Sequence, residues 1–161
     1  MPQPHQPSVH RAANAYRAAI RLAQTGEHGP FQQAFDALDA EDTDLVIVIT
    51  AFIDFARAEL EKLGAFKRGA GSNGIRLEFG AVEDGQIRSS TGADAVPPDH
   101  AWAGRVIAAR ISGDRENYFA LLQALPKDPA GMGRYIGTLA MDLALTVAAA
   151  REQRHPAQAA R

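Results

Sequence analysis

The chain has 161 residues, no cysteine and a formal charge of −2. That length suits one domain able to bury roughly two-thirds of its unfolded surface. The missing thiols exclude disulfides, thiolate nucleophiles and cysteine-based zinc sites. The near-neutral charge argues against a general polyanion binder, which needs clustered Lys and Arg.

Residues 1–9, "MPQPHQPSV", are rich in Pro and Gln and read as a tail; they have neither the basic nor the apolar region of a secretory leader. The first helical pattern follows in "SVHRAANAYRAAIRLAQTG", where Tyr16, Ile20 and Ala23 form one stripe and Gly26 stops it. "GPFQQAFDAL" makes a second stripe from Phe31, Ala34, Phe35 and Leu38, with Pro30 in the tolerant first turn. "DAEDTD" supplies cap candidates for a third helix running to Gly64. Leu45–Thr50 is β-branched enough to pass for a buried strand, but its length and its Ala/Glu/Lys continuation favour helix.

A different kind of sequence occupies residues 65–97. "IRLEF" alternates strictly and "QIRSS" can return beside it after "EDG", which predicts a β-hairpin. Helical patterning then resumes. Trp102, Val106 and Ala109 share a stripe ending at Gly113. Asp114 caps "RENYFALLQAL", and Asp128 with Pro129 opens a long final helix. The end, "EQRHPAQAAR", reads as a second tail.

The two helical blocks align. Displaced by 87, Ile20 falls on Ile107, Gly26 on Gly113 and Phe31 on Tyr118; displaced by 88, "TAFIDFA" falls on "TLAMDLA". The shared order of helix, glycine stop, acidic cap, helix and long helix predicts an internal duplication. The expected fold is therefore mainly α: a single domain over 10–154 with about six helices in two three-helix halves. These halves span 10–64 and 98–152 around the hairpin insert at 65–97, with tails at 1–9 and 155–161.

Several motifs tempt a functional reading and fail on context. "GAGSNG" (69–74) matches G-x-G-x-x-G, yet a helix precedes the glycines and a strand pattern follows, the reverse of the dinucleotide-binding order. The helix–Gly–helix around Gly113 has a helix-turn-helix layout, but its second helix opens with Asp114, Arg115 and Glu116 and then turns apolar. "DALDAEDTD" lacks the central Gly of an EF-hand loop and its twelfth-position Glu, and the five histidines show no zinc spacing. No nucleophile elbow or P-loop is present.

Two sets of candidates remain. Asp54 and Asp142 lie inside apolar helices, where carboxylates are candidates for acid/base work. Thr50, Asp54, Arg57 and Glu61 also make a polar stripe with internal ion pairs, and Arg134, Thr138 and Asp142 make its counterpart, so a polar seam is the favoured reading. With His100, Arg105 and Arg110 these acids are the candidate ligand-binding groups of a cleft between the halves, with Arg110 a partner for one acid. Lys67, Arg68 and Arg76 are candidates for an anion-binding loop.

No metal or cofactor is expected, and neither nucleic acid nor a membrane is an expected partner. The longest apolar stretches fall short of the ~20 residues a spanning helix requires, and each holds an Asp. Scarce lysine beside abundant Ala and Arg reads as the mark of a GC-rich bacterial genome, with the cytoplasm as the expected setting. The functional expectation is a non-catalytic interaction or regulatory module that associates with itself or with a protein partner. The alternative is a small-molecule binder or enzyme using the cleft.

Overall fold

The computed structural model describes residues 6–65 and 96–155. The hairpin expected around "IRLEF", the glycines of "GAGSNG" and the candidates Lys67, Arg68 and Arg76 lie outside the described residues. Those described form α1 (Gln6–Thr25), α2 (His28–Asp36), a 3-10 turn (Ala37–Asp39), α3 (Leu45–Lys62), α4 (Pro98–Ser112), α5 (Arg115–Gln123) and α6 (Pro129–Arg154), with no strand among them. The chain is mainly α, and Leu45–Thr50 is helical.

Local chemistry sets the boundaries. Asp44 accepts hydrogen bonds from the amides of Val46 and Ile47, Asp114 from Asn117 and Asp128 from Gly131, so three helices are N-capped by side-chain carboxylates. Gly26 and Gly113 close α1 and α4 with φ of 75° and 76°, a left-handed backbone that a Cβ disfavours. At the first terminus the structure differs from the sequence reading, because α1 takes in Gln6–Val9. Ser8 explains the difference: it is buried, and its Oγ accepts the Asp44 amide at 2.8 Å, fixing the start of α1 against the start of α3. Pro7 lies in the first turn, where a missing N–H is harmless.

α6 is the central element. It buries Ile136, Leu139, Ala140, Leu143, Ala144 and Val147 and packs against α1, α3 and α4. Alanines on several sides let its neighbours approach closely, and the bulk comes from Phe52, Ile49, Ile53 and Val106 on the surrounding helices. α1 packs on both α3 and α6; α4 packs on α6 and α5 but meets α3 only marginally. A true two-fold relating the halves would make the α3–α4 contact as broad as α1–α6. The contacts within each half correspond, α1 meeting α2 and α3 as α4 meets α5 and α6, but the contacts between the halves do not.

α2 has no fully buried residue. It is held through an aromatic ladder, with Phe31 4.4 Å from Phe35 and Phe35 6.1 Å from Phe52 between ring centroids. Gly137 of α6 lies alongside Phe35, where a Cβ would make only ordinary van der Waals contact with the ring. Among the described residues no helix is long and apolar enough to cross a membrane.

Candidate functional site

The candidate acids belong to two separate polar clusters. In the first, Arg110 of α4 forms a fork to Asp54 of α3: Nε donates to Oδ1 at 3.1 Å and Nη2 to Oδ2 at 2.8 Å. The same guanidinium lies 5.9 Å from the ring centroid of Tyr118, whose hydroxyl is 2.6 Å from that of Thr50. The Asp54 hydrogen bond raises the Arg110 pKa, and burial raises that of Tyr118. Asp54 and Arg110 remain 43% and 39% exposed, so water screens this pair and its contribution is modest.

In the second cluster, Nδ1 of His100 lies 2.9 Å from Oδ2 of Asp142, and the Thr138 hydroxyl donates to Asp99 at 2.7 Å. The two carboxylates respond oppositely to this setting. Burial raises the Asp142 pKa above its ordinary 3.8, against the hydrogen bond and attraction of His100. Burial also acts upward on Asp99, but the hydrogen bonds from Thr138 and backbone amides outweigh it and leave the carboxyl below 3.8.

A carboxyl with a raised folded pKa holds its proton to higher pH than the unfolded chain does. Its favourable contribution is complete below 3.8 and is lost as pH climbs through the folded value. Asp142→Asn removes that titration, so wild type should lose stability relative to the variant as pH rises out of this window. Urea melts at a series of pH values check this; parallel stability curves for the two proteins would refute it.

Both acids are tied to α4, but at its two ends. His100 and Arg110 are ten residues apart, roughly 15 Å along a helix axis. The expected convergence of Asp54, Asp142, His100, Arg105 and Arg110 in one cleft is therefore not what the structure presents. Arg105, between the two ends, is exposed and makes no hydrogen bond or ion pair among the described residues. Arg57 pairs with Glu61 at 3.2 Å, as the polar stripe predicts, and Arg134 lies over Tyr135 instead of joining Asp142.

Two features escape sequence reading. Glu59 of α3 accepts from the Tyr16 hydroxyl of α1 at 2.8 Å and from Nε and Nη2 of Arg151 of α6, uniting three helices. An open groove between α1 and α2 is lined by Arg11, Arg17 and Arg21. Among the described residues, no group of three or more His, Cys, Asp or Glu is placed to hold a metal ion, and every buried side-chain polar atom has a partner. Compared with known protein families, curated proteins and solved structures, the chain matches none.

Proposed function

We propose that the chain is a non-catalytic interaction module of a bacterial cytoplasm that pairs with a second copy of itself through the α3–α4–α5 face. The observation that carries this is Phe119, which stands 52% exposed with its ring edge-on to Tyr118 at 5.9 Å. Tyr118 in turn carries Arg110 over its ring and Thr50 at its hydroxyl, and Val46, 44% exposed, lies one turn before Thr50 on α3. Aromatic residues and arginine set among apolar side chains are the composition of interface centres. The patch also holds a cation and an anion together in Arg110 and Asp54. A two-fold axis can therefore set each against its opposite on the partner, which favours a second copy over an unrelated protein.

Sedimentation velocity over a concentration series tests the reading. Wild type should pass from monomer to dimer, and Phe119→Glu should remain monomeric while keeping its helical circular dichroism. A wild-type chain that stays monomeric at millimolar concentration would remove the proposal.

The duplication belongs to the same proposal. Its support is the common element order, with left-handed Gly26 and Gly113 at equivalent joints and α1–α2 packing like α4–α5. On this reading the α1–α6 and α3–α4 contacts diverged after the halves fused. Homologous sequences whose halves align with each other no better than unrelated helices would remove it.

A further inference from the structure

The groove between α1 and α2 departs from the rest of the chain in its charge. The protein as a whole has 19 acidic and 17 basic side chains, yet among the described residues the nine lining this groove include three arginines and no carboxylate. We infer that it binds a small molecule carrying a phosphate group beside an apolar body. This site is independent of the self-association face.

The helical register builds the site. Arg11, Asn14, Ala18 and Arg21 fall at i, i+3, i+7 and i+10 on α1, with Arg17 beside them one turn before Arg21. From α2 and the turn after it, Pro30, Ala34 and Ala37 face the same space, with the Gln33 amide among them. One wall thus presents guanidinium groups and the other short apolar side chains. The volume of about 520 Å³ falls in the range of small-molecule sites.

The arginines are held but not neutralised by the lining itself. Arg11 pairs with Asp42 at 2.6 Å and donates to the Thr43 hydroxyl at 2.9 Å, and Arg21 pairs with Glu27 at 2.9 Å, both carboxylates being exposed to solvent. Arg17 donates at 2.6 Å to the neutral Asn14 carbonyl and has no carboxylate partner among the described residues. Arg17 and Arg21, four residues apart, are neighbours on the helix surface and match the spacing of a single phosphate approached from two sides. Guanidinium forks recognise phosphate oxygens in pairs, and an ester substituent would extend over the alanines.

Calorimetric titration of the full chain at low ionic strength tests this with inorganic phosphate, phenyl phosphate and duplex DNA as probes. Phenyl phosphate is expected to bind once per chain and at least fivefold more tightly than inorganic phosphate, because its ring covers the apolar wall. Arg17→Ala should weaken it at least tenfold, since charge-assisted hydrogen bonds are lost. Arg105→Ala removes the same charge from α4 and should leave the affinity unchanged. Equal weakening by Arg105→Ala would show that general charge governs binding, and would overturn the site. So would the absence of saturable binding, equal affinity for the two phosphates, or tighter binding of DNA. Arg17 and Arg21 are exposed, so their replacement tests the ligand and not the fold.

Discussion

Phe52→Ala should remove about 3–5 kcal/mol of stability, the range for emptying a large aromatic site in a packed core. Phe52 is completely buried in α3, and its ring neighbours Phe35 of α2, which itself lies beside Gly137 of α6. The substitution therefore opens a cavity where three helices meet and removes the inner rung of the ladder that seats α2. Against a total stability of 5–15 kcal/mol for an ordinary domain, this is a large fraction. A melting-point fall on the order of 10 °C should follow. Because α2 buries no residue completely, its amides should lose hydrogen-exchange protection before those of α6. Phe52→Leu keeps most of the volume and should cost about 1.5 kcal/mol or less. A loss below about 1.5 kcal/mol for the alanine variant would mean that the ring does not hold the junction together.

The aromatic ladder was legible one helix at a time. Phe31 and Phe35 declare a stripe, and Phe52 sits in an apolar run, but spacing within a helix carries no information about which helix lies opposite. The same limit explains the rest. Asp44, Asp114 and Asp128 act locally, within three residues of the amides they accept, so their capping roles could be read from sequence. The left-handed glycines are local for the same reason. Ser8 is the contrary case: Pro and Gln around it read as a tail, and the Asp44 amide that anchors it lies 36 residues away. α6 hid its central position because alanines and leucines surround its axis, leaving no single stripe to give a direction.

The candidate acids divide along the same line. Arg110 as a partner for one acid was foreseeable from charge, and it pairs with Asp54. His100 was a candidate too, but its pairing with Asp142 depends on how α4 lies along α6, which periodicity does not specify. Placement of the acids on matching stripes suggested that they face each other. Instead α4 engages both, one at each end, and the polar groups fasten helices together without gathering around a common cavity. The groove on α1 is not legible in the sequence, because Arg11, Arg17 and Arg21 look like ordinary solvated residues until α2 folds across them.

Glu59→Ala should cost about 1–3 kcal/mol, because it strands a buried hydroxyl as well as breaking an ion pair. In the sequence "AELEKL", Glu59 looks like any solvent-facing helix residue. In the fold it is the shared acceptor for Tyr16 and Arg151, whose partners lie 43 and 92 residues away. Tyr16 is buried, and burial together with the Glu59 carboxylate holds its hydroxyl pKa far above the ordinary 10.0. The phenol therefore stays protonated and must donate. Arg151 is more exposed and can turn to water, so most of the loss arises at Tyr16 and less at the salt bridge. Two comparisons separate these contributions. Glu59→Gln retains an acceptor for Tyr16 and should lose less than Glu59→Ala; Tyr16→Phe removes the stranded group and should make a following Glu59→Ala milder. A double-mutant cycle by urea denaturation measures that coupling, expected at about 1 kcal/mol or more. Additive effects of Tyr16→Phe and Glu59→Ala would show that the Tyr16–Glu59 hydrogen bond does not help to join α1 to α3.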